Sequence, residues 1–174
     1  MPNAATWLIT GASSGIGRSL AEQALRAGDV VVGVFRSSAQ AETFAASAPG
    51  RSHGVVADVT DTEQVDAAVA EAVAAAGSVD VVVNAAGYAV VGAVEELSDA
   101  ELLAQLDANL LGVHRVLRAV LPEMRAAGGG TIVNLSSVAG QVGYPGLGAY
   151  DASKAGLELL SDALRGEVAP FGSA

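Results

Sequence analysis

The chain has 174 residues, of which 51% are apolar and 16% charged, a balance typical of one packed globular domain. Its net charge of -10 repels phosphate backbones, so we expect no nucleic-acid partner. The absence of cysteine and the presence of only two histidines argue against thiol chemistry and a metal site. No apolar run reaches the roughly 18 residues that span a bilayer, and the N-terminus lacks a leader pattern, so we expect no membrane partner and a cytoplasmic location.

Short strands and helices alternate along the first half of the chain. The apolar run Val30–Phe35 is typical of a strand covered on both faces of a parallel sheet. Ser37 with Gln40, and Thr60 with Glu63, have the spacing of capping boxes that open helices. We predict strands over 4–10, 30–35 and 54–57, and helices over 15–27, from 37 to 46 and from 60 to about 77.

The same alternation continues in the second half. Ser98 with Glu101 has capping-box spacing at the start of a long helical region that reaches about residue 125. We predict strands over 79–83 and 131–135, and a last helix that runs from about Tyr150 to residue 169. Five strands alternating with helices predict a single domain, residues 1–174, built on an open, doubly wound α/β sheet with parallel strands.

Lys154 is the only lysine in a chain that otherwise carries eight arginines. On a helix, Tyr150 and Lys154 lie on the same side, one turn apart. A neighbouring positive charge favours the phenolate form of a tyrosine, so the pair is a candidate acid/base group. The alternative is a core tyrosine beside a lysine that extends to solvent.

Three glycines, at positions 11, 15 and 17, follow the first predicted strand with the spacing G-x-x-x-G-x-G and open a helix. Missing β-carbons let the pyrophosphate of a dinucleotide approach the backbone, and the helix N-terminus offers free N–H groups. Glycine is common in this chain, so a tight turn without a ligand is the alternative.

Arg36 follows the second strand, where a cofactor bound through its ribose hydroxyls would need an acid. The first acid after that strand is Glu42, whereas the guanidinium of Arg36 could pair with a 2′-phosphate. This pattern favours NADP, with NAD possible. The alternative is that Arg36 is a solvated surface charge.

Polar strings also follow the remaining strands: Asp58-Val59, then Asn84-Ala85-Ala86-Gly87, then Ser136-Ser137. Taken in order with the glycine turn and the Tyr150–Lys154 pair, these strings resemble the short-chain dehydrogenase/reductase family over essentially the whole chain. The resemblance implies a Rossmann-type fold with strand order 3-2-1-4-5. It also implies hydride transfer between a nicotinamide cofactor and a small-molecule carbonyl or alcohol substrate.

The resemblance further implies roles for individual residues. Those expected to act in catalysis are Asn109, Ser137, Tyr150 and Lys154. Those expected to bind the cofactor are Gly11, Ser13, Ser14, Gly15, Ile16, Gly17, Arg36, Asp58, Val59, Asn84, Ala85, Gly87, Tyr150 and Lys154. The alternatives are that Asp58 merely caps a helix, that Asn109 is an ordinary helical residue, and that Ser136 takes the role of Ser137.

The sequence departs from the family at its C-terminal end. Members of the family normally continue beyond the last helix with two more strands and a loop that covers the substrate. We therefore expect strand 131–135 to be an uncovered edge, and the substrate pocket to lack one wall. Two other functions are a cofactor-binding fragment or sensor without turnover, and an assembly module. The family's packing of the long and last helices against a partner predicts a homodimer or homotetramer.

Overall fold

The structure, a computed structural model, describes residues 4–169 and contains one five-stranded sheet. Its strands pair in the order β3-β2-β1-β4-β5, and every neighbouring pair is parallel. The strands are β1 (Thr6–Thr10), β2 (Val30–Phe35), β3 (Ser52–Val56), β4 (Val81–Asn84) and β5 (Thr131–Asn134). The predicted fold class and strand order are confirmed, with some strand ends shifted by about two residues.

Six α-helices connect and flank the strands within residues 4–169. They are α1 (Gly15–Ala27), α2 (Ser38–Ser47), α3 (Thr62–Ala76), α4 (Asp99–Leu106), α5 (Gly112–Ala127) and α6 (Gly148–Val168). The long helix predicted from 98 to 125 is not continuous, because a π-helical turn, Asp107–Leu111, separates α4 from α5. A short 3₁₀ turn, Val138–Gly140, precedes α6. No helix in residues 4–169 has the length and apolar content needed to cross a bilayer.

The sheet has an apolar layer on each face, because successive side chains of a strand point to opposite sides. Leu8 packs in one layer with residues of α3 and α5, such as Val69 and Val120. Ile9 packs in the other layer with residues of α1 and α2, such as Ala21. The strands are thus covered on both faces, as the apolar run of β2 predicted.

β5 is less well covered than the central strands: it is an edge strand that pairs only with β4 among the described residues, and its Val133 remains 38% exposed. The predicted exposed edge is therefore present. Polar side chains hold β5 to its neighbours: Asn84 Nδ2 donates to Asn134 Oδ1 at 2.9 Å, and Asn134 Nδ2 donates to Ser161 Oγ of α6 at 2.9 Å.

The structure confirms one of the three predicted capping boxes. Ser98 and Glu101 form both reciprocal hydrogen bonds at the start of α4. Ser37 precedes α2, but its side chain makes no capping bond. At α3 the cap is Asp61, whose carboxylate accepts from the backbone N–H of Gln64. Thr60 and Asp61 compete for this position one residue apart, and the charged oxygen is the better acceptor for the helix N–H groups.

Candidate cofactor-binding and active site

The turn between β1 and α1 contains two glycines with positive φ angles and different surroundings. Gly11 (φ 68°) leaves no room for a side chain, because a Cβ there would lie 2.7 Å from the backbone nitrogen of Ala86. Gly15 (φ 55°) has nothing within 4 Å of its Cβ position and faces open space. Ser14, the N-cap of α1, makes no side-chain capping bond, and the first turn of α1 holds no acid. The turn therefore offers backbone N–H groups and hydroxyls to an anion.

A cleft of about 900 Å³ opens beside this turn, along the carboxyl ends of the strands. Its size is in the range of small-molecule and cofactor sites. It brings together most of the predicted cofactor-binding residues, namely Gly11, Ser13, Ser14, Gly15, Ile16, Gly17, Arg36, Asp58, Val59, Ala85 and Gly87. Asn84 does not line the cleft, because its side chain is 2% exposed and donates to Asn134.

One end of the cleft carries charge. Asp58 Oδ1 accepts from the backbone N–H and the hydroxyl of Thr60 at 2.9 and 2.7 Å. The backbone N–H of Thr60 is the main reason that the pKa of Asp58 lies below its ordinary value, and the charges of Arg36 and Arg115 lower it further. Asp58 does not cap α3, so that alternative is wrong. Arg36 is exposed on the cleft wall, and no hydrogen bond or ion pair within residues 4–169 engages its guanidinium.

Tyr150 and Lys154 lie on the same side of α6, with Lys154 Nζ 5.7 Å from the centre of the Tyr150 ring. Lys154 Nζ donates to the carbonyl of Leu135 at 2.7 Å, just beyond β5. The residue is 7% exposed, and burial lowers the pKa of its ammonium. Neither residue lines the cleft itself, but Leu135 does, so the pair lies beside the cleft on its β5 side, whereas Arg36 follows β2.

Ser137 begins the 3₁₀ turn that packs against α6. Its Oγ accepts from the backbone N–H of Ala139 at 3.2 Å, which leaves its own O–H free to donate. Gly140 makes the contact close, because a Cβ there would lie 3.0 Å from the carbonyl oxygen of Lys154. Ser136 is more exposed than Ser137.

Asn109 lies fully buried in the π-helical turn. Its Oδ1 accepts from the backbone N–H of Tyr88 at 3.1 Å, and its Nδ2 donates to the Tyr88 carbonyl at 2.9 Å. The same Nδ2 donates to Ser153 Oγ at 3.1 Å, and Ser153 Oγ donates to the Tyr150 carbonyl at 2.7 Å. Asn109 therefore joins the segment after β4 to α6 at Ser153, which an ordinary exposed helical residue would not do.

Gln105, one turn before Asn109, is a residue that the sequence analysis missed. It is fully buried, donates from Nε2 to the Tyr88 carbonyl at 2.7 Å and accepts at Oε1 from the Val90 N–H at 2.7 Å. Its spacing of four from Asn109 is the one available signal, and that spacing is common in helices. The two amides together fix the backbone of residues 88–90.

Asp151 was also missed, although it directly follows Tyr150. Its Oδ2 accepts from the backbone N–H of Tyr144 at 2.6 Å, so it holds the loop before α6 against the helix. The sequence alone does not indicate which loop a polar residue next to Tyr150 binds.

Within residues 4–169, no three His, Cys, Asp or Glu side chains lie close enough together to hold a metal ion.

The family model described as short chain dehydrogenase matches residues 5–172. The chain belongs to the short-chain dehydrogenase/reductase family. It is similar to "Oxidoreductase BOA17" of Botryotinia fuckeliana, with 42% identity over 95% of this chain and 61% of that protein. It is also similar to a 3-ketodihydrosphingosine reductase of Bacteroides thetaiotaomicron, with 39% identity over 94% of this chain and 58% of that protein.

A solved structure shares the fold throughout. The crystal structure of a short-chain dehydrogenase from Streptomyces avermitilis covers 99% of this chain at 46% identity, with a TM-score of 0.94. This chain covers 64% of that one. The chain thus spans about three fifths of the length of the relatives that it matches.

Because the ammonium of Lys154 is buried, we expect the free energy of unfolding of the chain to depend on pH. Its folded pKa lies below the ordinary value of 10.5, so between these two values the unfolded chain binds more protons. The cost of burying this charge is therefore fully present below the folded pKa, and it is lost as the pH rises from there to the unfolded value. We expect Lys154→Met to be more stable than the wild type at neutral pH, with a difference that shrinks at alkaline pH.

Urea unfolding at a series of pH values measures this difference. Arg165→Met, at an exposed position late in α6, is the control and should show no comparable trend. A Lys154→Met protein that is less stable than the wild type at every pH would show that the bond to Leu135 outweighs the burial of the charge.

Proposed function

We propose that the chain forms the cofactor-binding and catalytic core of an NADP-dependent oxidoreductase that interconverts a ketone or aldehyde and an alcohol. One observation carries the proposal: the cleft has an anion-accepting glycine turn along its wall and a tyrosine–lysine pair beside one end. The fit to a dinucleotide rests on the open space at Gly15, the uncapped N–H groups of α1 and the cleft volume of about 900 Å³.

The choice of NADP over NAD rests on Arg36. Its guanidinium is exposed on the cleft wall, close enough to Asp58 to lower the pKa of that carboxyl group. A guanidinium free of other partners suits the two-oxygen recognition of a phosphate.

The catalytic groups have separate roles in this proposal. A bound nicotinamide cofactor would supply or accept the hydride. The Tyr150 hydroxyl gives its proton to the carbonyl oxygen during reduction and takes it back during oxidation. Ser137, whose hydroxyl is free to donate, stabilises the charge that develops on that oxygen. Lys154 places a positive charge beside the Tyr150 ring, and its ammonium has donors left after its bond to Leu135.

The class of substrate is supported by the relatives. The name of the Bacteroides protein, 3-ketodihydrosphingosine reductase, describes reduction of a ketone. The described surface near Tyr150 also exposes apolar side chains, including Val94 at 83% and Tyr144 at 45%. A small-molecule carbonyl compound is thus the proposed substrate, and self-association through α5 and α6 stays a prediction from the family.

A second function, cofactor binding without turnover, is favoured by the exposure of residues around the catalytic candidates. Val91, next to the loop before α6, and Val138, next to Ser137, are 75% and 65% exposed, so the described residues do not shield this region from water. The two functions agree on the cofactor and differ on turnover, and the next experiment separates them.

Replacing Tyr150 by Phe removes the proton donor and keeps the ring. We expect the variant to bind NADPH within a few-fold of the wild type and to lose turnover by about a hundredfold or more. Single-turnover oxidation of NADPH with a panel of ketones measures the chemistry, and calorimetry measures binding. Undiminished turnover would rule out Tyr150 as the acid, whereas a wild type that binds but never turns over would favour the second function.

Replacing Arg36 by Asp tests the preference for NADP. The carboxylate repels a 2′-phosphate and can accept from a ribose hydroxyl, so we expect the ratio of NADPH to NADH affinity to fall by about tenfold or more. Arg18→Asp, on the exposed face of α1, has the same change of charge and should leave the ratio nearly unchanged. If both variants alter the ratio equally, Arg36 acts only through net charge.

A further inference from the structure

Arg115, in the first turn of α5, connects two segments that are far apart in sequence. Its Nη1 donates to the Val59 carbonyl and its Nε to Thr62 Oγ1, each at 3.3 Å. Its Nη2 donates to Asp107 Oδ1 at 2.7 Å and forms an ion pair with that carboxylate. The Arg115 side chain is only 18% exposed, so these contacts lie largely away from solvent.

Both segments line the cleft. Val59 and Thr60 belong to the wall beyond β3, next to Asp58, and Asp107 is the first residue of the π-helical turn. The wall also packs tightly on the start of α5, because a Cβ at Gly112 would lie 2.9 Å from Val59 Cγ2. Val59 thus already contacts the start of α5, and Arg115 adds hydrogen bonds across the same junction between the wall and the helix.

The two sides of this junction are not held equally. The π-helical turn has other anchors, since Asn109 is bonded to Tyr88 and to Ser153. The wall of residues 58–60 is held toward α5 by Arg115 and by the packing of Val59, and among the described residues its one other side-chain anchor is to α3, where Gln64 Oε1 accepts from the Asp58 N–H at 3.0 Å. Loss of the guanidinium should thus release the wall from α5 and leave the π-helical turn in place.

We propose that Arg115 is a positioning residue that fixes the cleft wall of residues 58–60, beside Arg36, and so sets the affinity for the part of the cofactor that carries the 2′-phosphate. The inference rests on the proposed function, because the wall matters only if the cleft holds a dinucleotide. Arg115 acts through the backbone of Val59 and the carboxylate of Asp107, and it touches no reacting atom.

Three variants test this role. Arg115→Met removes the charge and the hydrogen bonds of the guanidinium. Arg115→Lys keeps the charge but cannot reach several acceptors at once. Arg118→Met, the control, removes an exposed arginine of the same helix. We expect Arg115→Met and Arg115→Lys each to weaken NADPH binding by about tenfold, since each loses charge-assisted hydrogen bonds. Arg118→Met should stay within about twofold, because exposed ion pairs contribute little.

Two readouts make the result decisive. Calorimetric titration gives the NADPH affinity. Amide exchange without cofactor reports on the wall through the Asp61 N–H, at the start of α3, which donates to the carbonyl of the wall residue Asp58 at 3.0 Å. We expect faster exchange at Asp61, and unchanged protection of the Tyr88 N–H, in both Arg115 variants. Where turnover is measurable, the KM for NADPH should rise while kcat stays nearly constant.

Several results would overturn the proposal. Full affinity in Arg115→Lys would mean that the charge alone matters, and equal losses in the Arg118 variant would indicate long-range attraction of an anion. Unchanged exchange at Asp61 would show that Arg115 does not hold the wall. If Arg115→Met fails to fold, Arg115→Lys decides by itself. A wild type that binds neither NADPH nor NADH would refute the proposed function together with the affinity role, whereas the exchange data would still decide whether the wall is held.

Discussion

The site is organised around the hydrogen bond from the Lys154 ammonium to the Leu135 carbonyl, 2.7 Å long and nearly buried. Burial lowers the pKa of this ammonium, so the folded environment opposes its charge while the Leu135 carbonyl favours it. The hydrogen bond joins α6 to the residue just beyond β5, which is an exposed edge strand in the described chain. It also keeps a positive charge beside the Tyr150 ring, as the proposed proton transfer by Tyr150 requires.

Side-chain amides and a hydroxyl hold the neighbouring backbone rigidly. Thr10 Oγ1 accepts from the N–H groups of Ala85 and Ala86, each at 3.2 Å, beside the packed glycine Gly11. Gln105 and Asn109 then fix residues 88–90, and Asn109 reaches Ser153 of α6. Because these side chains are buried and hydrogen-bonded to the backbone of residues 85–90, they hold the segment after β4 in one conformation before a ligand binds. Such preorganisation suits a site that must align a cofactor with a substrate.

Features that depend on residues close together in the chain could be predicted from the sequence. Strand order followed from the family resemblance, and the glycine turn and the Ser98 cap depend on residues close together in the chain, so spacing was enough to locate them. The π-helical turn, the cap at Asp61 and the contacts of Gln105 and Arg115 could not be predicted in this way. Each depends on a partner distant in sequence or on competition between adjacent residues. An arginine in a helix predicts a surface charge, and only the fold shows that Arg115 meets Val59 and Asp107.

The proposed roles of the other residues depend on whether the cleft beside the glycine turn binds a nicotinamide dinucleotide through its phosphates. Calorimetric titration of the purified chain with NADPH and, separately, with NADH measures this binding. We expect saturable binding at one site per chain, tighter for NADPH and weaker at high salt, because anion contacts at the turn and at Arg36 are screened. If a chain shown to be folded bound neither dinucleotide, the proposed cofactor site would be wrong.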